Sequence, residues 1–220
     1  MNPRFPWLTL ALAAATMAVP LLPGAADVLQ YDRAALGRGE LWRLFTAHLT
    51  HFGPNHLNWN LAVFLVLGCA TERQSRPRFA AALAFATAAI TPALWLWQPQ
   101  FDLYRGLSGL DCALVGLFAA SLGRHGPRSA TVSGALVLAA LAAKCTVELV
   151  TARTVFATGD TFAPVPLAHA VGLLAGCTAH LVGPPTPPRL LLNASAPPSS
   201  PTPPSELHSI EPPPSVSACG

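Results

Sequence analysis

The chain has 220 residues, of which 52% are hydrophobic and only 10% charged, and its mean hydropathy is positive. This balance sets an ordinary soluble fold aside in favour of a membrane protein. The net charge of +3 comes from twelve arginines and one lysine scattered along the length, with no basic stripe interleaved with aromatics, which excludes nucleic acid as a partner.

A membrane-crossing helix needs about 20 mostly apolar residues, and candidates run over 5–23, 56–72, 79–97, 107–123, 129–150 and 165–182. The expected fold is an all-α membrane bundle of six spans. The first stretch has Arg4 before it and the small residues of "PGAAD" after it, as a signal peptide would. Its apolar run exceeds the roughly 7–15 residues of such a segment, so it reads as a retained span.

Residues 24–55 form a long irregular connection containing "GELWRLFTAHLTHFG", where Trp42, Leu44, Phe45, Leu49 and Phe52 surround Arg43. Amphipathic aromatics with a snorkelling arginine suit an element lying partly embedded in the interface. At the head of the second span, "HFGPNHLNWN" sets His56 and Asn60 one helical turn apart, both donors suited to a developing oxyanion. His48, His51 and His56 have no acidic or thiol ligand near them in sequence, and Gly53 and Pro54 separate the last two, so no metal is expected.

The fourth span opens on "GLSG". Gly106 and Gly109 permit a tight entry and close helix approach, and Ser108, taken alone, reads as a helix cap. The sixth span changes that reading, because His169 in "PVPLAHAVGLLAG" lies one turn into a helix that runs the same way through the membrane. Gly172 and Gly176 follow His169, as Cys112 and Gly116 follow Ser108, so each reactive group heads a stripe of small residues. Small stripes let membrane helices meet closely, and the fourth and sixth spans are expected to touch with hydroxyl and imidazole at one depth.

Charged groups inside spans are costly and need a reason. Lys144 and Glu148, at i and i+4, read as a mutually neutralising structural pair. Asp111, nearly a turn beyond Ser108, is a candidate to orient His169 or to serve packing or gating, and His180 is expected at the cytoplasmic interface without chemistry. The five cysteines show no CxxC or metal-ligand spacing and read as packing residues. From Gly183 to Gly220 proline and serine dominate, giving an expected disordered cytoplasmic tail after a membrane domain of residues 1–182. With the N-terminus cytoplasmic, seven arginines fall on the cytoplasmic side and five on the other, which places both termini inside.

These motifs together resemble the rhomboid intramembrane serine proteases. "GLSG" looks like the family's GxSG nucleophile motif, "AHAVG" like its histidine motif, "HFGPNHLNWN" like its second-helix pattern, and "GELWR" like the Trp42-Arg43 element of its first loop. "YDR" and the compact core are similar to the bacterial subgroup called rhombosortases. The resemblance implies a serine endopeptidase of the bacterial inner membrane that needs no cofactor. Ser108 and His169 would be its dyad, His56 and Asn60 its oxyanion donors, and its site would open to the periplasm. Implied substrates are exported proteins with a C-terminal sorting tail: a Gly-rich cut site, a hydrophobic helix and a basic end. Many rhomboids carry a tyrosine four residues after the nucleophile, where its ring packs on the histidine. This chain has Cys112 there, so the resemblance does not supply the group that orients His169. A catalytically silent helix-binding relative and a small transporter are the alternatives.

Overall fold

The computed structural model describes residues 5–125, 127–151 and 165–182. The Pro-rich tail beyond Val182 and the connection that carries Arg153 lie outside the described residues. Helix α1 (Trp7–Ala18) runs into a 3₁₀ turn at Val19–Leu21. The first loop then folds into α2 (Ala25–Leu29), strand β1 (Tyr31–Asp32), α3 (Arg33–Gly37), α4 (Arg43–Thr46) and a 3₁₀ turn at Ala47–Leu49. The long helices follow: α5 (Pro54–Gln74), α6 (Arg76–Trp97), α7 (Ser108–His125), α8 (Arg128–Thr151) and α9 (Pro166–Val182), with strand β2 (Leu103–Tyr104) just before α7.

The all-α expectation holds. Among the described residues the sole strand pairing is the antiparallel two-residue ladder of Tyr31 opposite Tyr104 and Asp32 opposite Leu103, which ties the first loop to the segment entering α7. A helix occupies each expected span, but among the described residues only α6 and α8 are by themselves long and apolar enough to cross a membrane. The others fall short for local reasons. Pro20 interrupts α1 in its last turns, α5 carries "NHLNWN" at one end and "TERQ" at the other, and α7 and α9 start late, at Ser108 and Pro166.

The first loop departs from expectation in one residue. Arg43 does not snorkel: it is buried, and its guanidinium donates to Glu40 Oε2 at 2.8 Å and to the carbonyls of Asp27 at 2.6 Å and Gln30 at 3.0 Å. A five-donor fork can satisfy several acceptors at once, so it serves here as the tie between α2 and α4. Trp42 stays exposed, its Nε1 donating to Val28 O at 3.2 Å, and Leu41, Phe45 and Phe52 are exposed with it.

Helix α7 sits at the centre, packed against α5, α6, α8 and α9. Its Leu107, Leu110, Ala113 and Leu114 join Phe64, Phe79, Leu83, Ile90 and Ala168 in the core. The α7–α9 seam is closed by backbone. A Cβ on Gly172 would collide with the Gly109 carbonyl, one on Gly176 with the Ala113 carbonyl, and one on Gly116 would stand 2.6 Å from Leu173 O. Without a hydrophobic drive between helices in lipid, such backbone contact is what van der Waals association requires. The expectation that these two helices touch along their small stripes is met.

At the other end α1 is clamped to α5. Glu72, fully buried, accepts from Leu8 N at 3.2 Å, Thr9 N at 2.8 Å and Thr9 Oγ1 at 2.8 Å, satisfying orphan donors in the first turn of α1. Arg76 completes the clamp through Glu72 Oε1 at 3.0 Å and Phe5 O at 2.7 Å, and lies over the Trp7 ring.

Gly176→Val should separate α7 from α9. Overpacking typically costs about 1–3 kcal/mol, and backbone cannot yield as a side chain does, so the expected result is a lower thermal midpoint in detergent. The same change at exposed Leu174, as a control, should leave the midpoint in place.

Candidate active site

Ser108 is the first residue of α7 and is half-buried. The turn that delivers it is built on Gly106, whose φ of +131° is closed to ordinary side chains. A Cβ there would lie 2.9 Å from His56 Cε1, 3.0 Å from His56 Nε2 and 3.4 Å from Asn60 Nδ2. The missing side chain thus lets the loop rest directly on both α5 residues. Asn60 Nδ2 is buried with no hydrogen-bond partner among the described residues, leaving a donor uncommitted beside this loop.

Three side chains not singled out by spacing hold the loop. His51 Nε2 accepts from Leu107 N at 3.4 Å, which requires that nitrogen to be unprotonated, and its ring meets His56 edge-on at 5.0 Å. Arg105 donates to Gln30 Oε1 at 2.7 Å and Asp27 Oδ1 at 2.7 Å and covers the Phe52 ring. Tyr104, buried, donates its hydroxyl to Gly106 O at 3.2 Å and lies beside the Ser108 side chain. Burial pushes the Tyr104 phenol up, so it stays a neutral donor. Phe52 in turn stacks on His56 with centroids 6.2 Å apart.

From α9, His169 stands in the first turn, and its neighbour Ala168 puts its carbonyl 3.2 Å from where a Gly109 Cβ would be. The residues next to Ser108 and next to His169 are therefore in contact. His169 Nδ1 lies 3.3 Å from Glu148 Oε2 on α8, close enough for an ion pair though off the line of a hydrogen bond. The same Glu148 oxygen accepts from Lys144 Nζ at 2.7 Å. Asp111 is buried, makes no ion pair with His169, and has Oδ1 without a hydrogen-bond partner among the described residues. Cys112 is buried with its Cβ 3.4 Å from where a Gly172 Cβ would be, in the corner that also holds Cys145, Lys144 and Glu148. His180 is buried, because α9 packs against α6 and α7. Among the described residues no group of three His, Cys, Asp or Glu side chains could hold a metal ion.

The family model for the rhomboid domain matches residues 38–184, two thirds of the chain, from just after α3 through α9. The chain belongs to the rhomboid family, whose members are intramembrane serine proteases, and is an integral membrane protein. No curated protein matches it.

His48 and His51 give the loop a pH dependence. Desolvation lowers His48 from 6.5 to about 4, and desolvation with the neighbouring His56 lowers His51 from 6.5 to about 3. Below pH 6.5 the unfolded chain binds protons on both rings while the folded chain does not, so stability is full above 6.5 and falls as the pH drops toward 4 and then 3. Unfolding in detergent from about pH 7 to about pH 5 should show this loss. His51→Gln keeps an acceptor for Leu107 N without a titrating group, and should flatten the curve.

Proposed function

We propose that this rhomboid protein is a serine endopeptidase that cleaves membrane-anchored protein tails with a Ser108–His169 dyad. The observation that supports the reading is the α7–α9 seam, where Gly109, next to Ser108, meets Ala168, next to His169, while Gly106 rests on His56 and Asn60. Helices α1 and α5 to α9 form the six spans, both termini face the cytoplasm, and the site opens on the periplasmic side of a bacterial inner membrane.

Ser108 Oγ attacks the scissile carbonyl while His169 Nε2 takes its proton. The carbonyl oxygen becomes an oxyanion held by Asn60 Nδ2, His56 and the Ser108 N–H. On collapse the C–N bond breaks, the proton passes from His169 to the leaving amine, and an acyl-serine remains. Water attacks it next, with His169 again as base, which releases the new C-terminus and regenerates Ser108. A helical peptide bond is shielded by its own hydrogen bonds, so a glycine-rich segment that unwinds easily suits this site. The preferred substrate is therefore a sorting tail of the kind processed by rhombosortases: glycine-rich site, hydrophobic helix, basic end.

The test is cleavage of a synthetic tail of that design by purified protein in detergent. Wild type should cut, and Ser108→Ala and His169→Ala should not. Asn60→Ala should lower kcat by about 10²–10³, the usual loss for one oxyanion donor. Binding of the tail without cleavage by wild type would favour a catalytically silent helix-binding protein. Cutting by the two alanine variants would remove the dyad.

A further inference from the structure

Helix α8 is the least packed of the long helices. Of its 24 residues only Gly134, Cys145 and Glu148 are buried, and its Val132, Leu136, Leu149 and Val150 are exposed. A glycine and a cysteine at a helix contact need no special account. A glutamate does, because a carboxylate taken out of water loses several kcal/mol of solvation that only a good partner offsets (about this order). The i,i+4 bond to Lys144 supplies part of that compensation, yet a pair made only to neutralise itself would be cheaper on the exposed face. Instead the Glu148 side chain is 2% exposed and turns into the bundle, where Oε2 lies 3.3 Å from His169 Nδ1.

That contact is where a serine–histidine site needs a third group. An imidazole serves as base through one nitrogen only if the other holds the proton, and an acceptor facing Nδ1 selects that tautomer and fixes the ring. No aromatic ring packs on His169 among the described residues, and Asp111 makes no ion pair with it. Resting on the dyad reading above, we infer that Glu148, held by Lys144, is the positioning residue for His169: its carboxylate lies 3.3 Å from Nδ1, off the line of a hydrogen bond in this structure, and accepts an Nδ1–H when the ring turns to it, which leaves Nε2 for Ser108.

The experiment compares Glu148→Gln, Glu148→Met and the double variant Lys144→Met with Glu148→Met in full-length protein, using the synthetic tail. Gln keeps an acceptor oxygen at similar length, Met keeps only the volume, and the double variant replaces both ions by apolar groups, which typically leaves folding intact. Thermal midpoints and tail binding are measured beside kinetics. The expected order of kcat is wild type, then Glu148→Gln, then Glu148→Met, with the Met variants down by about 10² or more and KM little changed. Nitrogen-15 spectra of histidine-labelled protein should show the Nδ1–H form of His169 in wild type and a tautomer mixture in the double variant. A folded double variant with wild-type kcat and an unchanged His169 spectrum would overturn the assignment. Ser108→Ala and His169→Ala run alongside: if they too cut, the dyad itself fails, whereas dead controls beside a fully active double variant refute only the role of Glu148.

Discussion

Everything in this fold depends on two helices meeting without side chains between them. Where Gly172 faces the Gly109 carbonyl and Gly176 faces that of Ala113, the seam is set by backbone, and backbone cannot repack to admit a methyl group. The consequence reaches upward. Because α7 and α9 are fixed against each other along three turns, their first residues are fixed too, and the site inherits its geometry from a contact that lies below it. The polar residues near Ser108 and His169 then need only local devices to hold them.

Those devices share a logic of buried groups made tolerable by partners. The Gly106 turn rests on His56 and Asn60 because it has no Cβ, while Tyr104, His51 and Arg105 each bind its backbone or anchor it to the first loop. The first loop is held in turn by Arg43 of α4, which donates to the Glu40 carboxylate and to the carbonyls of Asp27 and Gln30 at the end of α2. The loop read as partly embedded in the interface packs against the Gly106 turn through Gln30, Asp27 and His51. Irregular backbone is tolerated at membrane depth only when covered in this way or lining a wet cavity.

Much of this was legible in the residues. Small residues at helical spacing behind Ser108 and His169 announced the seam, since nothing else explains two such stripes at one depth, and apolar runs located the long helices. Their lengths were less legible, because where α7 or α9 begins is decided by the Gly106 turn and Pro166, not by hydropathy. Arg43 misled because an arginine among aromatics has two solutions, one in water and one among carbonyls, and only the packing of α2 against α4 chooses. Glu148 was hidden by its own sequence neighbour: the i,i+4 pairing with Lys144 is a sufficient reading on its own, and the approach of His169 depends on how α8 leans on α9. Asp111 was attractive for sharing a helix with Ser108; it is buried and makes no ion pair with His169.

The clamp on α1 has a consequence in time rather than in space. The first-turn amides of α1 are satisfied by Glu72, and its Phe5 carbonyl by Arg76, both more than 60 residues later in the chain. During synthesis α1 is therefore made before its partner groups exist, with its first turn left to solvent. Only when the end of α5 and the start of α6 arrive, bringing the Glu72 carboxylate and the Arg76 guanidinium to the same edge, are these groups satisfied. The tie between α1 and the corner of α5 and α6 is thus made by polar groups far apart in the sequence.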